Sequence, residues 1–439
     1  MRRRGLNLAR MMMLMGGGGL PYADKLLTIQ PDYLLHWPLW DAAGRVCTEA
    51  TGKTAALDLV ENGGFETAGA GGADVWDVWT ESVGTGAIAD EGTLVHGGSH
   101  AAKLTAGSTK NTVVRPSNVS TINTFAPATI AVIPGTACTF TFWTRGDGTN
   151  AGRYSIYDVN AAGYIRSTVT TGVAGTDYAQ VTYSFTVPAG CFSVQVTLWC
   201  PNVEGGISYF DDVALNCNYP YSGIYQPSGI TYGQPGVGDG RTSTLHNGTD
   251  SGILIGSKAF GAIWNGNVGS MISWGKVAAA GQWTDTSTFR YPNLHVKARQ
   301  DLTVYLVMGK SSTAHTLAWR RRIGAGDTNA QFEHTYAFDP TGTLGFFCQG
   351  MSWDVVSNPK KIRCYLYVPG VLNWTKLYDD TPLVGIQDWD NATYTADDFN
   401  TVIASGSLTQ QEWIGNCAHS ALWNGVVLTD AEMQSAMTP

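Results

Sequence analysis

Residues 139–144 read TFTFWT, and a period of two sorts them: Phe140 and Phe142 share one side, while Thr139, Thr141 and Trp143 share the other. The same alternation runs through FSVQVTLWC at 192–200. There Phe192, Val194, Val196, Leu198 and Cys200 form an apolar row, and Ser193, Gln195, Thr197 and Trp199 face the opposite way. VTYSFTVPAG, LTVYLVMG, TGTLGFFCQ and KIRCYLYVPGV are further runs of strand length, and Gly, Asn and Pro punctuate the sequence between such runs. LLHWPLWDAAG at 34–44 is apolar through Trp40 and ends in a turn; with Pro31 and Pro38 interposed it suits an edge strand or an extended lead-in. One helix carries its own start signal. Thr429 as N-cap and Glu432 three residues later form a capping box, followed by Met433 and Ala436 as good helix formers.

Composition points the same way: 53 Gly, 15 Trp, 19 Tyr and only 14% charged residues describe an all-β protein with many turns. A length of 439 residues suits two to three domains of about 150–200 residues, and two are expected. Lys and Arg total 27 against 35 Asp and Glu, a net charge of −8, which argues against a nucleic-acid-binding surface. The basic clusters Arg2 to Arg4 and Arg320 to Arg322 are therefore read as local contacts. No apolar run reaches the roughly 18 residues of a membrane span. Eight cysteines without a C-x-x-C pair exclude a zinc ribbon or a thioredoxin-like site. Isolated buried thiols are the expectation, above all for Cys138 and Cys200, with disulfides left open.

The first residues, MRRRGLNLARMMMLMGGGGLPYA, have a basic start and a short apolar run that Arg10 interrupts, which makes a poor secretory signal. The segment from Met1 to about Thr28 is expected to be a retained assembly arm. Arg2, Arg3 and Arg4 would meet an acidic partner surface, and Met11, Met12, Met13, Leu14 and Met15 would fill an irregular groove. A retained anchor and docking onto the chain's own body are the alternatives left open.

Two sets of motifs resemble known families. ENGGFE at 61–66, the Trp76 and Trp79 pair, HGGSHAAKL at 96–104, TFTFWTRG, VTYSFTVPAG, SVQVTLWC and the closing SYFDDVAL at 208–215 resemble, in order, carbohydrate-binding modules of the family-4/9 type, which are β-sandwich jelly rolls. LLHWPLWDAAG, GDGRTSTLHNGTDSGILI at 238–255, NGNVGSMISWGKV at 265–277 and WIGNCAHSALWNGVVLTDAEMQSAM at 413–437 resemble laminin-G-like, concanavalin A-like sandwiches. The resemblances imply an arm (1–28), a discontinuous concanavalin A-like sandwich (29–56 plus 218–439) and a carbohydrate-module-like jelly roll (57–217) inserted into it.

Trp143 and Trp199, each on a Thr- or Ser/Gln/Thr-bearing face, with Gln195 beside Trp199, are the candidate sugar platform: a pyranose face stacks on an indole while polar neighbours fix its hydroxyls. The bland alternative is that both rings pack under a loop, a neighbouring domain or another subunit. The carbohydrate-module resemblance also implies a structural calcium ion held by Glu66 with Asp211 or Asp212. The laminin-G-like half departs from its family, with Asn416, Cys417, Ala418 and His419 where an acidic residue is usual, which argues against a second calcium site there.

No strand carries the alternating acids of a concanavalin A-type glycosidase, and Glu333 and Asp339 sit too far apart along theirs, so a non-enzymatic protein is expected. Such sandwiches recur in bacteriophage tail, fibre and capsid-decoration proteins. The resemblance therefore implies a virion structural protein assembling through its arm, a homo-oligomer that displays its sandwiches to host-surface glycans. A secreted or cell-surface bacterial glycan-binding protein, or an accessory module of a glycosidase, is the alternative.

Overall fold

The computed structural model describes residues 21–117, 129–226, 228–249, 251–255, 257–298, 305–322, 331–338, 345–357, 359–379, 399–404 and 412–439. The arm residues Arg2, Arg3, Arg4, Met11, Met12, Met13, Leu14 and Met15 lie outside them, as does Asp339.

The chain is all-β. Two six-stranded and two eight-stranded sheets form among the described residues, and every pairing is antiparallel within the four. Sheet I runs Ala179–Thr186, Ala137–Gly146, Ile207–Pro220, Ala101–Thr105, Ala87–Glu91, with Thr54–Asp58 added along the far half of Ile207–Pro220. Sheet II runs Gly163–Thr170, Arg153–Asp158, Ser193–Trp199, Val113–Pro116, Trp79–Ser82, with Ile130–Ala131 also on Ser193–Trp199. Their inner faces meet: Phe140 and Phe142 of sheet I stand 6.1 and 5.4 Å from the Tyr154 ring of sheet II, and Val194, Val196 and Leu198 close the same core. The alternation read from TFTFWT and FSVQVTLWC selects these inner rows.

Sheets I and II take all their strands from 54–220, whereas the eight-stranded sheets use strands from both sides of that stretch. Sheet III contains Leu34–Trp37 and Ile414–Asn424, paired with Leu34 opposite Trp423; sheet IV contains Val46–Cys47 and Gly223–Tyr225, paired with Gly223 opposite Cys47. Entry into the nested unit and exit from it are cross-strand neighbours, Leu57 facing Cys217. The paired strands begin at Thr54 and end at Pro220, three residues beyond 57 and 217 on either side.

Two expectations are corrected. Cys138 is not a thiol: it is joined to Cys217, its direct cross-strand partner at a Cα separation of 4.3 Å, while the other six cysteines are free and buried. Local alternation places Cys138 among apolar neighbours but is silent on what lies across the ladder. The arm, in turn, does not reach Thr28. Tyr22, Leu26 and Ile29 are buried in an apolar cluster with Trp274, Trp423, Met433 and Met437. The Tyr22 hydroxyl donates to the Ala436 carbonyl and accepts from Trp274 Nε1 at 2.8 Å, and Lys25 Nζ donates to the Thr438 carbonyl at 2.8 Å. The helix Tyr22–Leu26 therefore belongs to the body, against the C-terminal helix Asp430–Met437. That C-terminal helix starts as its capping box predicts, Glu432 N donating to Thr429 Oγ1 and Thr429 N to Glu432 Oε2.

Candidate functional site

The two candidate tryptophans do not form one platform. Trp143 stands on the outer face of sheet I and Trp199 on the outer face of sheet II, with the core of the sandwich between them. Neither indole is bare. The His96 imidazole stacks on Trp143 at 3.7 Å and 13°, and the Arg153 guanidinium lies 5.5 Å over the Trp199 ring.

Sheet II nevertheless presents an ordered outer surface in three cross-strand rows. Tyr164, Tyr157 and Gln195 face one another in the first; Ser155, Thr197, Arg115 and Thr80 make the second; Arg153, Trp199, Val113 and Ser82 make the third. The first and third rows lie four residues apart along Ser193–Trp199, about 13 Å. Ser155 and Thr197 are buried, and each fixes a larger neighbour: Trp199 Nε1 donates to Ser155 Oγ at 3.0 Å and Arg115 Nε to Thr197 Oγ1 at 3.2 Å. Arg153 is held by Nε to the Cys200 carbonyl at 2.9 Å and Nη2 to the Lys110 carbonyl at 2.7 Å. Tyr164, 56% exposed, meets Tyr157 edge-on at 5.1 Å. No carboxylate stands in these rows. Burial lowers the Arg115 guanidinium from its ordinary value, and the nearby Tyr164 phenol partly restores it. Of this set Trp199 and Gln195 were legible as candidates. Tyr157, Arg153 and Ser155 were missed although RYSIYD at 153–158 alternates in the same way, and Tyr164 and Arg115 become neighbours only through sheet pairing.

The acids named for calcium also converge, with divided roles. Asp211 is fully buried, and its oxygens accept N–H from His96 at 2.8 Å, Gly97 at 3.1 Å and Asp212 at 2.8 Å. Burial pushes its carboxyl up, and those N–H donors offset part of the rise. It clamps the 96–97 turn and is no open ligand, a correction to its candidacy. Glu66 Oε1 accepts from Ser99 N and His100 N at 2.8 and 3.1 Å, and Asp212 Oδ2 lies 2.6 Å from His96 Nδ1. A bulge between Thr141 and Trp143, with Asp212 at φ 46°, turns the Asp212 side chain outward.

Glycines make room for both acids. A Cβ on Gly98 would stand 2.0 Å from Glu66 Oε1, one on Gly97 would stand 2.8 Å from Asp212 Oδ2, and Gly64 lies between Asp212 Oδ1 and Glu66 Cγ. Two carboxylates in a glycine-lined cradle are the hard-oxygen donors that calcium takes. Among the described residues no three His, Cys, Asp or Glu side chains converge on one point, so backbone carbonyls or water would have to complete such a shell.

In the part of the chain that builds sheets III and IV, Asp239 of the Gly-Asp-Gly turn is engaged by His419, whose Nε2 lies 2.9 Å from Oδ2, and His419 Nδ1 lies 3.1 Å from His36 Nε2. All three side chains are buried. Burial raises the Asp239 carboxyl, but the bond and charge of His419 outweigh it and leave the pKa below the ordinary range.

No protein-family model matches the chain, and no curated protein matches it. Among solved structures it is similar to a carbohydrate-binding module, TmCBM61, in complex with β-1,4-galactotriose, at 15% identity over 36% of this chain and 97% of that one, with a TM-score of 0.27. The CBM22-1 xylan-binding domain from Paenibacillus barcinonensis matches at 10% identity over 38% and 97%, TM-score 0.27. The enzymatically active domain of bacteriophage CBA120 tailspike protein 4 matches at 17% identity over 36% of this chain and 21% of that one, TM-score 0.27.

Proposed function

We propose that the chain binds glycans, without cleaving them, on the outer face of sheet II. The observation that carries this reading is the three-row surface: exposed and half-exposed rings at Tyr164, Tyr157 and Trp199 alternate with Gln195, Arg115 and Arg153, and buried hydroxyls hold Trp199 and Arg115 in place. Aromatic faces that take the apolar side of a pyranose, between donors positioned for its hydroxyls, are what sugar recognition needs. Hydrolysis would need two carboxylates flanking the bond, and these rows hold none. Binding of the full-length chain to an oligosaccharide panel, compared with Tyr164→Ala, tests the reading; binding that survives the substitution unchanged would remove this face from consideration.

The sequence resemblance to phage tail, fibre and decoration proteins extends the proposal to a virion surface protein that presents this face to a host glycan. The Cys138–Cys217 disulfide supports an oxidising, extracellular setting. We also propose that Glu66 and Asp212 supply two oxygen ligands to a structural calcium ion that ties the 61–66 turn to the closing strand. No helix among the described residues is long and apolar enough to cross a membrane.

A further inference from the structure

The outer face of sheet I carries a second row of different chemistry. Arg145 pairs across the ladder with Tyr209, Tyr209 with Lys103, and Tyr178 flanks Arg145 on the other side, where Ala179 pairs with Thr144. The result is a ladder of Tyr178, Arg145, Tyr209 and Lys103. The Arg145 guanidinium lies 5.1 Å from the Tyr209 ring centroid and 6.0 Å from that of Tyr178, and Lys103 Nζ lies 5.6 Å from Tyr209. One row along, Trp143 stands under His96, whose ring also meets Tyr178 edge-on at 5.7 Å.

Arg145 differs from Arg115 and Arg153 of sheet II, whose Nε atoms donate to Thr197 and to the Cys200 carbonyl. Its Nε is buried without a partner, and among the described residues its side chain joins no ion pair. Four nearby acids are already engaged. Asp211 accepts three backbone N–H groups, Asp212 pairs with His96, and Glu91 binds Thr93 and lies 3.6 Å from Lys103. Asp147 accepts from Ile207, Thr149 and Asn150, and burial, which raises its carboxyl, is outweighed by those bonds. Two rings therefore hold a planar, permanently charged fork in place while its Nε lacks an acceptor, and leaving a buried donor unsatisfied is unfavourable. A carboxylate accepts from such a fork through two parallel bonds.

We propose that this ladder is a second glycan site, on the opposite face of the sandwich from the first, and that it takes a uronate-type sugar. The carboxylate would meet Arg145, with Lys103 adding attraction and the flanking Tyr178 ring offering apolar contact to the pyranose. Its sugar specificity rests on the glycan reading above, but its location does not, because no residue is shared with sheet II.

The test is calorimetric titration of the full-length chain with tri-galacturonate, neutral galactotriose and tri-glutamate, repeated on Arg145→Gln and on Arg115→Gln. The expected result is tri-galacturonate binding that weakens at least about tenfold in Arg145→Gln, at an unchanged melting temperature. Arg115→Gln should leave that affinity within twofold, and raising the salt should weaken it. Equal affinity for galactotriose, or no loss in Arg145→Gln, would overturn the anionic site. Tri-glutamate binding as tightly through Arg145 would overturn the sugar assignment. Failure of Tyr164→Ala to affect a neutral glycan would count only against the sheet II reading.

Discussion

Opening the Cys138–Cys217 disulfide should produce a large, selective loss of stability in the nested unit. The two cysteines are 79 residues apart, so the bond closes about half of the 54–220 stretch into a loop. In the chain-entropy account, cross-linking a loop of that length restricts the unfolded ensemble by an amount worth about 4.5 kcal/mol at 25 °C. For a unit of 150–250 residues each kcal/mol moves Tm by about 2–4 °C, so the double substitution Cys138→Ala/Cys217→Ala should lower its transition by roughly 9–18 °C. Differential scanning calorimetry of the full-length chain measures this. Reductant added to the unsubstituted protein provides a second route to the same state, since the six remaining cysteines are buried free thiols. A fall of less than about 2 °C by both routes would refute the chain-entropy reasoning for this bond.

Tyr164→Ala should weaken glycan binding by about 5- to 30-fold, the loss of one exposed aromatic anchor, as read by titration with the ligand found in a panel. Chelator should lower the melting temperature of the nested unit, and Glu66→Gln should abolish that response; a curve that ignores both would end the calcium proposal. Removing residues 2–20 should leave melting intact and prevent incorporation into particles, whereas extending the deletion through Ile29 removes three buried apolar side chains at about 2 kcal/mol each and should lower Tm in a thermal melt. His246 is fully buried, and burial brings its pKa to about 4 despite a bond to the Ser251 carbonyl. The unfolded chain binds that proton near pH 6.5 and the folded chain does not, so stability should fall between pH 6.5 and 4 by about 3 kcal/mol from this group and level off below. Denaturant titrations across that range on His246→Gln should show a shallower slope.

The sequence by itself determined whatever depends on neighbours two to four residues away. Period-two alternation separated Phe140 and Phe142 from Trp143, and Val194 and Val196 from Gln195 and Trp199, because side chains on a strand alternate by geometry alone. The capping box started the helix at Thr429 for the same reason. The order of the strands, and with it the site, was decided only in three dimensions. Whether Trp143 and Trp199 share a face depends on which sheet each strand joins, and their strands join the two opposed sheets of the sandwich. The covers over their rings, His96 and Arg153, come from 47 and 46 positions away in sequence. The Cys138–Cys217 bond and the capture of Asp211 by the 96–97 turn are likewise consequences of long-range register. Tyr22 looked like part of a free arm because its partners, Trp274 and Ala436, lie more than 250 residues downstream. Alternation records which way a side chain points; only the folded ladder supplies what it points at.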